Sequence, residues 1–277
     1  MLNKVAVVTG GSGVLGRVFC LALAKQGYKI AIIGNNMSKA QLVVDEITHD
    51  GGIAQAFKAN VTNKDELIQA ANLIIQQLGS CDLLINGAGG NHPLGTTSSE
   101  TCLANSKELS DSPLTDFFDL DLAGIDFVFQ LNFMGSLLSS QVFAEQMLGK
   151  QHASIINISS MSGFSPLTKI PAYSAAKAAL NNFTQWLAIH LAPSQIRVNA
   201  IAPGFFLTTQ NYSLLKRENG EWSERAQKII EHTPMRRLGK AEELIGTLLW
   251  LANPDSSGFV NGAVIPVDGG FNAYSGV

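Results

Sequence analysis

Cysteine, charge and long apolar runs are all scarce in this 277-residue chain. Cysteine occurs three times, at Cys20, Cys81 and Cys102, an odd number with no pair at metal-ligand spacing. That excludes a disulfide framework, gives no reason to expect a metal, and fits a reducing, cytoplasmic setting. Cys20 and Cys81 stand in apolar surroundings, where free cysteine is commonly buried. Charged residues make up 15% of the chain against 46% apolar, which leaves ample core material and little for a disordered tail. Nineteen basic and 22 acidic residues give a net charge of -3, and the longest basic run is Arg236-Arg237, so no nucleic-acid surface is expected. No unbroken apolar run reaches the ~18 residues of a membrane span. The first strand candidate starts at Lys4, so no targeting segment is expected before it.

What the chain has is a regular alternation. Short runs rich in Val and Ile, at 4–8, 29–33, 53–58, 81–86, 153–158, 195–201 and 263–267, read as strands covered on both faces. Helical stretches separate them at 14–26, 38–49, 63–78, 126–149, 173–192 and 241–252. This alternation predicts a three-layer, doubly wound α/β fold with a parallel sheet of about seven strands, and a single domain over 1–277. Two polar stretches interrupt the rhythm, near 90–124 and 205–235. Both leave from strand carboxyl ends, where ligands bind in such sheets, so both are expected to shape the substrate site.

Thr9-Gly10-Gly11-Ser12-Gly13-Val14-Leu15-Gly16 follows the first strand and opens a helix. Glycines let the backbone approach a pyrophosphate, and the helix N-terminus offers free N–H groups, so a dinucleotide is expected on Gly10, Ser12, Gly13, Val14, Leu15 and Gly16. The second strand ends in Gly34-Asn35-Asn36, with neither the acid that favours NAD nor an Arg for a 2′-phosphate. Asn35 can bond a ribose hydroxyl and Lys39 can reach toward a phosphate, which leaves NAD and NADP both open.

Tyr173-Ser174-Ala175-Ala176-Lys177 opens another helix, and residues four apart share a helical face. An ammonium beside a phenol favours the phenolate, so Lys177 is expected to lower the Tyr173 pKa and make it a general acid/base. Ser160 closes a strand run 13 residues earlier, where its hydroxyl can bond a substrate carbonyl. Asn132 is an amide among Phe127, Phe129, Leu131 and Phe133, which suits either a structural kink or a held water.

With Asn86-Gly87-Ala88-Gly89 and Pro203-Gly204, this set resembles the short-chain dehydrogenase/reductase family over essentially the whole chain. The resemblance implies a tetrad: Tyr173 as acid/base, Lys177 tuning it and binding the nicotinamide ribose, Ser160 polarising the carbonyl, and Asn132 holding a relay water. It extends the cofactor contacts to Asn35, Asn60, Val61, Asn86, Ala88, Gly89, Tyr173, Lys177, Pro203, Gly204, Phe206 and Thr208, and places Ile201 near the nicotinamide. Three positions depart from the family pattern. Val14 stands where a loop glycine is usual, Gly87 replaces the second Asn of Asn-Asn-Ala-Gly, and Asn60 replaces an acid that contacts adenine, although its amide oxygen could accept that bond.

The variant phosphate loop, Gly89-Gly90-Asn91-His92-Pro93 with its polar insertion, Gly204-Phe205-Phe206-Leu207-Thr208 and the ending Gly269 to Val277 resemble the D-mannonate oxidoreductase (fructuronate reductase) subgroup. That implies a keto sugar acid as substrate and tilts the cofactor toward NAD. Candidate substrate contacts are Asn91, His92, Met161, Asn211 and Arg217, with Lys169 and Lys216 as further cations. Phe205, Phe206, Met161 and Phe164 could instead build an apolar pocket, for a keto-gluconate, polyol or 3-oxoacyl substrate. A dinucleotide-binding sensor without chemistry is the reading from another class, but it has no need of Ser160, Tyr173 and Lys177 together. Helices 126–149 and 173–192 are apolar on nearly all faces, so a partner subunit, in a homotetramer or homodimer, is expected on one side.

Overall fold

The computed structural model describes residues 3–102, 114–208 and 212–276. Seven strands form one sheet: β1 (Val5–Thr9), β2 (Lys29–Gly34), β3 (Ile53–Lys58), β4 (Cys81–Asn86), β5 (Ser154–Ile158), β6 (Arg197–Pro203) and β7 (Val264–Val267). Their order is β3-β2-β1-β4-β5-β6-β7, and every pairing is parallel. The predicted fold class and strand positions hold. Interior strands β1, β5 and β6 are buried at every residue, whereas edge strand β3 alternates. Continuous apolar runs mark strands with a helix layer on each face.

Successive residues point to opposite faces, so the sheet builds two cores. Val5 and Val7 join Leu67, Ile74 and Phe143 on one side, below α3 (Lys64–Gln77) and α5 (Gly135–Glu145). Ala6 and Val8 join Phe19, Leu23, Val43 and Leu248 on the other, below α1 (Val14–Lys25), α2 (Met37–His49) and α9 (Ile245–Ala252). Cys20 and Cys81 are buried, and desolvation pushes both thiols up, as expected for inert core cysteines.

The helical expectations need three corrections. The stretch assigned to 126–149 begins earlier, as α4 (Leu122–Phe129), passes through a π turn at Gln130–Met134, and continues as α5. An Asp121 side chain accepting the Ala123 N–H starts it inside what reads as loop. Helix α6 starts at Pro171, because a proline at the first helical position loses no hydrogen bond. The region 205–235 holds two helices, α7 (Tyr212–Leu215) and α8 (Glu224–His232), the second capped by Ser223.

The continuous α4–α5 run, Leu122–Glu145, is long and apolar enough to cross a membrane by length and composition alone, at 24 residues and mean hydropathy 1.3. Its interior carries polar groups bound within the fold, among them Asn132, Ser136 and Ser140. The run packs against the sheet through Val142 and Phe143.

Strand β1 pairs with β2 on one side and β4 on the other, so the chain winds outward in both directions from β1. The crevice of such a sheet lies beyond the carboxyl ends of these diverging strands.

Candidate active site

A cavity of about 390 Å³ sits at that switch point, with walls from the β1, β4, β5 and β6 ends and the start of α6. Its outer end shares Gly13, Val14 and Thr208 with a second hollow of about 810 Å³ that includes Ser12, Arg17, Lys39 and Lys240. Together they form one groove running from the glycine loop to Tyr173.

The loop geometry fits a pyrophosphate. Gly10 has φ +65°, and a Cβ there would stand 2.9 Å from the Ala88 backbone. A Cβ on Gly16 would lie 2.2 Å from the Gly10 oxygen, so only glycine lets α1 start against the loop. Gly13 caps α1 with no side-chain hydrogen bond and no acidic residue in the first turn. The helix N–H groups therefore point at the groove with their positive end unopposed. Val14, in place of a usual glycine, lines both hollows without disturbing this arrangement.

At the inner end, helix α6 places Tyr173 and Lys177 one turn apart on the cavity wall. Lys177 is buried; its Nζ donates to the Ile158 carbonyl at 2.8 Å and lies 5.6 Å from the Tyr173 ring centre. Desolvation brings its pKa down to about 8. Tyr173 departs from expectation. Burial raises its pKa, and the group opposing that rise within the protein is Ser160, through a hydrogen bond, rather than Lys177. Ser160 also accepts from the Ser162 N–H and hydroxyl, at 3.2 and 3.0 Å, which fixes its oxygen at the end of β5.

Asn132 stands in the π turn, fully buried. Its amide donates to Gly90 O at 2.7 Å and Val128 O at 2.8 Å, while Oδ1 accepts the Gly90 N–H at 3.2 Å. It thus pins the loop after β4 to the helix. A Cβ on Gly89 would lie 2.8 Å from Asn132 Oδ1 and 3.3 Å from Lys177 Nζ, so this glycine keeps open the space between the two side chains.

The structure gathers Gly10, Gly13, Val14, Leu15, Gly16, Ala88, Gly89, Ser160, Tyr173, Lys177, Pro203, Gly204, Phe206 and Thr208 around the inner cavity. Ser12 joins the outer hollow, and Asn35 is exposed at the end of β2. Four further candidates do not line the cavity. Asn86 turns into the helix layer, where its amide donates to Ser140 and Asn157. Val61 is buried against Gly135. Ile201 belongs to the core below α1 and α9, and Ile158 and Pro203 supply the apolar wall instead. Asn60 Oδ1 accepts from the Thr62 N–H and hydroxyl, so any adenine contact falls to its NH₂ rather than its oxygen.

Among substrate candidates, Met161 is buried, and Arg217 lies beyond α7, paired with Glu224 at 3.7 Å. Lys216 covers Trp222 at 3.5 Å. Neither Arg217 nor Lys216 lines the cavity. Asn211 lies outside the described residues. Asn91, next to the wall residue Gly90, donates to Thr96. His92 accepts the Leu94 N–H on Nδ1 and tilts against Phe127. The wall also takes Gly87, Ile158 and Ser159, which the sequence reading did not select; their place at strand carboxyl ends was the available signal.

Known proteins agree with this geometry. Residues 4–219 match the short chain dehydrogenase family. An uncharacterized oxidoreductase, UxuB, of Bacillus subtilis (strain 168) is 52% identical over 277 residues, covering 100% of this chain and 98% of the relative. The 7alpha-hydroxysteroid dehydrogenase of Escherichia coli (strain K12) is 31% identical, over 97% and 94%. A solved structure from Haemophilus influenza, provisionally named a D-mannonate oxidoreductase and carrying bound NAD, superposes with a TM-score of 0.96 at 52% identity, over 100% and 98% of the two chains. The chain belongs to the short-chain dehydrogenase family and is an NAD(P)-dependent oxidoreductase.

Proposed function

We propose that the whole chain forms one catalytic domain that interconverts D-fructuronate and D-mannonate, with NAD(H) preferred. The observation that carries the chemistry is Lys177 Nζ 5.6 Å from the Tyr173 ring, with Tyr173, Lys177 and Ser160 on one cavity wall. The nicotinamide, when bound, would supply the hydride chemistry and, oxidised, a positive charge. The chain handles the proton. Tyr173 gives it to the carbonyl oxygen in reduction and takes it back in oxidation. Ser160 bonds that oxygen and opposes the rise that burial imposes on the Tyr173 pKa, Lys177 holds the ribose, and Asn132 orders the relay by which a proton reaches Lys177. The sugar-acid assignment draws on the Haemophilus relative and on the polar loops beside the cavity. The NAD preference is supported by that relative's cofactor and by Arg17, whose guanidinium Glu46 already holds at 2.5 and 2.8 Å. We place the enzyme in the cytoplasm as a homo-oligomer.

One observation favours a second reading. Phe205 lines the cavity and packs edge-on to Phe271, 5.3 Å between centres, a wall suited to a less polar 3-oxoacyl substrate. A turnover screen with NADH and NADPH against D-fructuronate, 5-ketogluconate and an acetoacetyl thioester decides between them. Replacing Tyr173→Phe is expected to lower turnover by about 10²–10⁴, with NADH binding by fluorescence titration kept. Undiminished turnover in Y173F would remove the proposed proton donor.

A further inference from the structure

A substrate carboxylate finds no available cation inside the cavity. Lys177 is the one basic side chain among its lining residues, and its ammonium donates to the Ile158 carbonyl and, in the proposed mechanism, holds the ribose. In D-fructuronate the carboxylate lies at the far end of the carbon chain from the reacting carbonyl. Its partner is therefore to be sought at the rim.

Two loops leave from the cavity wall, one after Gly90 and one from Phe205. The insertion after β4 is tied to the foot of α6, because the Thr97 N–H donates to Lys169 O at 2.9 Å, four residues before Tyr173. The segment after β6 carries α8, whose Ile229 shares a small apolar cluster with Phe205 of the cavity wall. Glu100 of the first loop and Lys228 of the second, neither of them a residue of the cavity wall, form an ion pair that joins the two loops. Lys169 and Arg225 act on the same carboxylate, and together these cations hold Glu100 below the usual carboxylate range. Both partners of the pair are exposed, so it contributes little to stability and one carboxylate can replace another at small cost.

We propose that Lys228, assisted by Arg225 and Lys169, binds the substrate's carboxylate, and that Glu100 occupies the same position as an internal stand-in until the substrate displaces it. This rests on the keto-acid reading above. A carboxylate port and a purely structural strap make opposite predictions for the two partners. A strap is broken equally by K228M and E100Q, which then shift the kinetics in the same direction. At a port, K228M removes the receptor and E100Q removes the competitor.

The test measures KM for D-fructuronate with NADH, alongside the thermal midpoint of each variant. K228M is expected to raise KM about tenfold, as for a lost hydrogen bond to a charged group. E100Q is expected to lower KM about two- to threefold, the scale of a removed exposed ion pair. K228R should restore most of the affinity. Shifts of the same sign in K228M and E100Q, or none in either, overturn the proposal. If the parent is inert on D-fructuronate, the functional reading falls by itself. The port is then judged by calorimetric binding of 5-ketogluconate to the same variants. Opposite shifts uphold it, whereas parallel shifts or no binding to the parent overturn it.

Discussion

Burial holds the Lys177 ammonium at a pKa of about 8, whereas the same side chain in an unfolded chain titrates near 10.5. Between these values the unfolded state binds more protons than the folded state, so stability rises with pH across that window. Below about 8 both states carry the charge and the full cost of burying it is present. Integrated over the window, that cost is about 3 kcal/mol. Lys177→Met removes it but also deprives the Ile158 carbonyl of its donor, a loss of about 1 kcal/mol. The variant is therefore expected to be more stable than the parent at pH 7, by about 2 kcal/mol, and to lack the parent's gain between pH 8 and 10.5. Denaturant titrations at pH 7 and 9.5 check this. Equal slopes with pH in the two proteins would mean that Lys177 is not the group titrating there. In the proposed mechanism the chemistry next to Tyr173 needs this destabilising charge, an exchange of stability for activity.

At the scale of elements, the strand–loop–helix unit β1–α1 makes a sharper prediction than its glycine count suggests. Gly16→Ala would drive a Cβ to 2.2 Å from the Gly10 oxygen, within a backbone turn that cannot move without opening the loop. Gly13→Ala would meet the same oxygen at 3.2 Å, from a residue whose φ of -74° suits alanine. Calorimetric titration with NADH should show binding weakened by a hundredfold or more, about 3 kcal/mol, in G16A, and by less than about tenfold in G13A. Equal losses would show that the close approach of α1 is not what forms the cradle. This unit was legible from the sequence because a both-sided strand is a continuous apolar run and its loop needs glycine. Side-chain direction was less legible, although the period of two holds part of it. Asn86 has the parity of Leu84, whose face lies below α5, and Ile201 has the opposite parity to Val198, which turns it toward α1 and α9. Helix α8 was missed because its nine residues are strongly polar outside Ala226, Ile229 and Ile230. The π turn at Asn132 leaves no mark in composition; within it the side-chain amide binds the Val128 and Gly90 carbonyls.

For the whole molecule, the outer face of α6 and the start of α4 are too apolar to be a settled water-facing surface. Ile189 is 76% exposed, Trp186 55%, and Leu122 75%. The rings of Phe133, Phe183, Trp186 and His190 follow one another at 5.8, 6.3 and 4.8 Å, which links the π turn to the exposed side of α6 in one aromatic strip. A contiguous apolar patch of this kind commonly marks an interface, and a two-fold contact would cover it with its own copy. Light scattering is therefore expected to give the protein a mass of two or four times 29.5 kDa. The pair Trp186→Glu and Ile189→Glu should reduce that mass, because two like charges would face their own copies across the symmetry axis. The same α6 that carries this patch holds Tyr173 and Lys177 in its first two turns, and α4 leads into Asn132. Dissociation should therefore lower turnover along with mass, and both should recover as the variant is concentrated. A parent protein at 29.5 kDa in dilute solution would show that its own chain tolerates the exposed strip and that the tetrad needs no neighbour.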